Sequence, residues 1–97
     1  MNKKRTRLEV IKDVLEVLQK FRQVKITHLI YKANLSSNSI KPYLEELLGN
    51  KLVEEIIVKE KKDEKKFFKL TPKGSEFLQE FNKIKIFAES YGLQEEI

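Results

Sequence analysis

The groups best equipped for chemistry in this 97-residue chain lie in one short run, Ser36-Ser37-Asn38-Ser39-Ile40-Lys41. Three hydroxyls, a carboxamide and an ammonium at the start of a predicted helix are groups that hold a phosphate; they do not break bonds. The first amides of a helix have no helical partner, and the aligned peptide dipoles make that end positive. Ser36 is placed to cap the helix. Ser37, Asn38 and Ser39 then offer short hydrogen-bonding groups, and Lys41 a flexible cation. No arginine is present to pair with a guanine edge, the commonest specific base contact. Glu45, one turn further on, repels phosphates. This surface suits positioning on a polyanion better than reading it, and the same residues also serve plain capping.

Other cations surround this run. Lys3, Lys4, Arg5 and Arg7 put four positive charges in five positions ahead of the first helix, either as an arm that orders on phosphates or as a solvated terminus. Lys32 precedes the run. Lys61 and Lys62 sit in residues 59–66, where five lysines meet Glu60, Asp63 and Glu64. Through Lys41 the chain carries ten Lys and Arg against three acids; from Pro42 onward, ten Lys face twelve acids. The overall charge of +5 is therefore concentrated in the first half, as on a nucleic-acid-binding face.

Other functions lack their chemistry. There is no cysteine, so no disulfide framework or thiolate metal site, and His28 alone cannot build a metal centre. Tyr31 and Tyr43 read as packing residues. The acids have no nucleophile or phosphate loop beside them, so neither an enzyme nor a cofactor or small-molecule ligand is expected. The opening MNKKRTR has no apolar run behind it, and no stretch suits a membrane span; the expected location is cytoplasmic, associated with the nucleoid.

The elements that must position these groups follow from periodicity and caps. Leu8, Ile11, Val14, Leu15, Leu18 and Phe21 form the apolar stripe of a helix over 6–21, followed by a short strand over 24–26. Thr27 is placed to cap a second helix that ends at a left-handed Asn34. In the third, Ile40, Tyr43, Leu44 and Leu47 share one face and Gly49 closes it. Pro42 removes a helical amide, which predicts an irregular early helix, either kinked or starting late at Ser39. Strands over 52–58 and 66–70 flank a charged hairpin loop over 59–66. Thr71-Pro72 then opens a last helix that runs to about Tyr91, with Gly92 as its left-handed cap. Two helices joined by a tight polar turn form a helix-turn-helix, whose second helix can lie in the major groove. The element order predicts an α+β, mostly α fold: a winged helix-turn-helix domain with a long C-terminal helix forming a dimeric coiled coil.

In that last helix Phe77, Phe81, Ile84, Ala88 and Tyr91 alternate spacings of four and three, the rhythm of a coiled-coil seam, with Phe87 beside them. Phe77, Leu78 and Phe81 could instead pack on the domain. Ile84, Ile86, Phe87 and Tyr91 extend past what a small domain covers, so a second subunit is expected there. Residues 1–76 are thus expected to form the winged domain with its basic arm, and 77–97 the dimerisation segment. The whole helix, near 30 Å long, has room for two or three heptads.

The string Ile30-Tyr31-Lys32-Ala33-Asn34-Leu35-Ser36 resembles the YKANLS signature of small archaeal winged-helix proteins. Leu48-Gly49-Asn50-Lys51-Leu52-Val53 and Phe68-Lys69-Leu70-Thr71-Pro72-Lys73-Gly74 are similar to later parts of the same pattern. Over about residues 7–78 the chain resembles the Sulfolobus 10a family of abundant DNA-binding proteins. That resemblance implies a dimer joined by an antiparallel coiled coil of the last helices, binding duplex DNA with low sequence preference. The chain departs from the pattern at Pro42 and in the shortness of the segment after the domain. The expected function is therefore a dimeric duplex-DNA-binding protein of low specificity, either a chromatin-type packaging protein or a small transcription regulator. The alternative is a winged-helix protein-interaction module without DNA affinity, against which Lys41 and the basic arm argue.

Overall fold

In the computed structural model, which describes residues 5–93, the chain forms α1 (Arg7–Phe21), β1 (Gln23–Val24), α2 (Ile26–Ala33), α3 (Ser37–Gly49), β2 (Val53–Glu60), β3 (Asp63–Leu70) and α4 (Pro72–Ser90). α1 starts in a capping box. The Thr6 hydroxyl accepts from the Glu9 amide at 3.1 Å, and the Glu9 carboxylate accepts from the Thr6 amide at 3.0 Å. Its apolar stripe buries Val10, Ile11, Val14, Leu15 and Leu18, and it packs against α2, α4, β1 and β3. Leu29 and Ala33 from α2, Ile40, Leu44 and Leu47 from α3, Val24, Val53 and Phe68 from the sheet, and Leu78 from α4 complete one core.

α2 begins at Ile26, with Lys25 in the capping position and no side-chain cap bond, so Thr27 lies inside the helix instead of capping it. Burying Leu29 and Ala33 against α1 sets this start without help from a cap. Its end is as expected: Asn34 is left-handed (φ 55°), and the Leu35 amide returns to the Ile30 carbonyl at 3.0 Å. α3 runs unbroken from Ser37 through Pro42, so the late start at Ser39 is not adopted. The Asn38 carbonyl loses its helical donor at Pro42, but Asn38 is exposed and water can replace that bond. At the far end the left-handed residue is Lys51 (φ 61°), not Gly49, and the Leu52 amide bonds the Leu47 carbonyl at 2.9 Å.

α4 is clasped to this turn. The Thr71 hydroxyl accepts from the Gly74 amide at 3.0 Å and donates to the Lys51 carbonyl at 2.7 Å, while the Thr71 amide donates to the Leu52 carbonyl at 3.1 Å. The Lys73 ammonium donates to the Asn50 carbonyl at 2.9 Å. Gly74 is required by this contact, since a Cβ there would lie 2.1 Å from the Leu52 carbonyl oxygen. α4 ends with Gly92 at φ 75° and the Leu93 amide on the Ala88 carbonyl, as its sequence predicts.

The sheet is antiparallel with order β1-β3-β2. Its hairpin differs from expectation: Glu60 pairs with Asp63, leaving only Lys61 and Lys62 as the turn. Lys59 faces Glu64 across the strands, and Glu55 pairs with Lys66 at 3.7 Å. Opposed charges of this kind favour strand pairing in a segment whose composition disfavours it, and they offset the like charges of Glu60 and Asp63 at the turn.

Candidate nucleic-acid interface

α3 turns Ile40, Leu44 and Leu47 inward, which leaves Ser37, Asn38, Lys41, Pro42 and Glu45 exposed. The cap consumes two of the predicted polar groups. The Ser36 hydroxyl accepts from the Ser39 amide at 3.1 Å and donates to the Ser39 hydroxyl at 2.8 Å. The Ser37 and Asn38 amides precede the helical ladder and point outward at the positive end of α3. Asn38, Pro42, Glu45 and Gly49 form the outermost ridge, with Ser37 and Lys41 on one flank and Ser39 and Glu46 on the other. Lys41 has no acidic partner among the described residues.

Among the described residues, the remaining predicted cations are not gathered into one arm. Lys3 and Lys4 lie outside the described residues. Arg5 is engaged within the fold: its guanidinium pairs with Asp13 at 2.8 Å and donates to the Ala33 and Asn34 carbonyls, each at 2.7 Å. It closes the C-terminus of α2, where a cation meets both the free carbonyls and the negative end of the helix dipole. Arg7 is exposed and paired with Glu46, so the basic entry to α1 is tied to the flank of α3. Lys32 lies on the side of α2 that meets α1, its ammonium 5.6 Å from the Phe21 ring centroid and 5.7 Å from that of Tyr31. Lys61 and Lys62 form the exposed hairpin tip.

α4 changes character along its length. Gly74, Leu78 and Phe81 are buried and Phe77 packs against the core, so Phe77 and Phe81 are already covered by their own chain. Past Phe81 the helix is bare: Ile84, Phe87 and Tyr91 are 53%, 62% and 72% exposed, and Ala88 is half-buried. These four share one face, with the Phe87 and Tyr91 rings 5.1 Å apart. The uncovered stripe is thus little more than one heptad long, shorter than the sequence suggested. Exposed Ile86 points away from it.

Two features escaped the sequence reading. Tyr31, whose place in the sequence predicts packing, is 78% exposed beside Lys32, whereas Tyr43 does pack against the core. A short helix with β-branched and aromatic residues on several faces gives a weak inward signal, and only the burial of Leu29 and Ala33 sets its rotation. Phe67 and Phe68 occupy opposite faces of β3, with Phe68 buried and Phe67 on the outer face. Adjacent phenylalanines leave that assignment open until the register is known. His28 rests 4.9 Å from the Phe21 ring as a packing partner. Among the described residues no group of His, Asp and Glu is arranged to hold a metal ion, and no helix is long and apolar enough to cross a membrane.

Comparison with known proteins agrees with this architecture. A family model described as winged helix-turn-helix matches residues 4–89. Among solved structures the chain is similar to Sso10a-2, a DNA-binding protein from Sulfolobus solfataricus, with a TM-score of 0.67 and 25% identity over 91% of this chain and 90% of that one. No curated protein matches the chain.

Proposed function

The chain belongs to the winged helix-turn-helix family, and from that membership we propose that it binds duplex DNA as a homodimer with low sequence specificity. The observation that carries this reading is the outward face of α3. It combines free amides at a positive helix end with Ser37, Asn38 and Lys41, and it contains no arginine. Likeness to a DNA-binding protein over nine-tenths of the chain supports it.

In this reading the start of α3 enters the major groove, with Lys41 on a phosphate. Lys61 and Lys62 take flanking phosphates from the hairpin tip, and Arg7, with Lys3 and Lys4 outside the described residues, extends the contact on the other side. Residues 1–76 bind DNA and 77–97 supply the dimer contact, in which Ile84, Phe87, Ala88 and Tyr91 meet their copies. Two such domains can hold separate stretches of duplex or bridge two duplexes. A groove face without bidentate base contacts favours packaging within the nucleoid over recognition of one operator, and the reading includes no catalytic step.

The test is Lys41→Glu. Reversing that charge replaces attraction by repulsion at a phosphate, so affinity should fall by a similar factor on every duplex sequence. Unchanged affinity would show that α3 does not face DNA in this way. If the unmodified protein bound no duplex even at low salt, the domain would instead be a protein-interaction module.

A further inference from the structure

β3 is the central strand of the sheet, and its two faces differ chemically. Phe68 and Leu70 turn toward the core with Val24 and Val53, whereas Lys65, Phe67 and Lys69 alternate along the opposite face. On that outer face Phe67 lies in register with Ile56, and Lys69 is flanked by Gln23 on β1 and Glu54 on β2. None of these outer residues is buried; Lys65, Lys69 and Gln23 are exposed and Phe67 and Ile56 half-buried. Arg22, which immediately precedes β1, lines a small cleft with Gln23 and Lys69.

We infer that this outer sheet face is a binding site for single-stranded DNA, with one base stacked on Phe67 and the backbone held by Lys65 and Lys69. Residues two apart on a strand are about 6.6 Å apart, so the two ammonium-bearing side chains stand on either side of the ring along the strand. An aromatic ring bracketed by cations on an open sheet is the arrangement that stacks unpaired bases and tracks a phosphate backbone. At the Phe67 end of the face Arg22, Lys65 and Lys69 outnumber Glu54, while the other two acids on it, Glu60 and Asp63, oppose each other beside the Lys61-Lys62 turn. The Gln23 carboxamide, in the cleft beside Lys69, can bond the edge of a neighbouring base.

The same geometry selects among occupants. A duplex keeps its base faces stacked inside, out of reach of Phe67. An apolar peptide would find only Ile56, Val58 and Phe67, with charged side chains around them. Across the strands the ring's neighbour is the aliphatic Ile56, so a sugar beside the stacked base meets methyl groups. A 2′-hydroxyl there would lose its hydrogen bonds with water and gain none, which favours deoxyribose. The site lies on a different element from the outward face of α3 and does not depend on the duplex reading.

The chain has no tryptophan, so Phe67→Trp places a single reporter at the proposed stacking position. Titration of that full-length variant with an oligothymidine of about 15 nucleotides should quench its emission as a base stacks. Phe67→Ala should weaken oligothymidine binding by about 5- to 150-fold. Lys65→Ala with Lys69→Ala, two exposed positions outside the core, should weaken it and lower its salt dependence. Lys41→Glu should leave it unchanged, which separates this site from the α3 face. Unaltered tryptophan emission on binding, wild-type affinity in either the Phe67→Ala or the double lysine variant, or tighter binding of oligouridine than of oligothymidine would each overturn the assignment.

Discussion

Replacing Gly74 by alanine should destabilise this protein although the residue lies in a helix. In an open helical position the change favours folding by up to about 1 kcal/mol. Here the added Cβ would stand 2.1 Å from the Leu52 carbonyl oxygen and 2.7 Å from Leu70 Cδ1. The Leu70 methyl can turn aside. The carbonyl cannot, because Leu52 is held by its amide on the Leu47 carbonyl at 2.9 Å and by the Thr71 amide on its own oxygen at 3.1 Å. The first turn of α4 must therefore retreat by more than an ångström. That retreat loosens the Thr71 bonds to Lys51 and Leu52 and the Lys73 bond to Asn50. Overpacking costs about 1–3 kcal/mol and each weakened bond about 0.5–1.5 kcal/mol, partly recovered by water. After the helical gain, a net loss of about 2–3 kcal/mol remains, which lowers Tm by about 10–20 °C in a domain of this size. Circular dichroism during thermal and urea unfolding, at one fixed protein concentration, measures it. Gly49→Ala is the internal control: nothing lies within 4 Å of its Cβ, so it should gain about 0.4–1 kcal/mol. If Gly74→Ala were as stable as Gly49→Ala, the close approach of α4 to the α3–β2 turn would be wrong.

The other predictions concern charges and the bare end of α4. Arg5→Met should cost about 1–2 kcal/mol of stability, because it removes the cap on α2 and the Asp13 pair from a partly exposed site, while leaving the salt slope of duplex binding unchanged. A slope reduced by about 1 would return Arg5 to the phosphate-binding set. Ile84→Asp combined with Phe87→Asp should give folded monomers, since both side chains are more than half exposed within one chain. A dimer persisting in light scattering would move the interface elsewhere.

What was legible in the sequence was mostly local. Ser36 and Thr71 cap their helices, and Asn34 and Gly92 take left-handed conformations, because each of these choices is made within four residues. The apolar stripe of α1 and the inward face of α3 were readable for the same reason. Residues whose role depends on distant chain were not. Arg5 resembles an arm cation until the end of α2, 28 residues away, is folded against it. Gly74 has no local signature, since its requirement comes from the Leu52 carbonyl. The length of the hairpin is not legible locally, because Lys, Glu and Asp are poor strand formers singly and the backbone ladder of β2 with β3, helped by Lys59 opposite Glu64, runs on to a two-residue turn. In the candidate site, the exposed run of α3 was readable from its inward stripe. The turning of Lys32 toward Phe21 and the exposure of Tyr31 depend on how α2 lies against α1.

The most direct test of duplex binding without sequence preference is a titration at 50 and 200 mM salt with one random and several unrelated duplexes. Counting only the described residues, Lys41, Lys61 and Lys62, with Arg7 if it exchanges Glu46 for phosphate, supply at least three or four contacts per subunit. A dimer then loses at least about 10³- to 10⁴-fold in affinity over that range, equally on every sequence. High affinity retained at 200 mM on one sequence, or no binding to any duplex at 50 mM, contradicts the account.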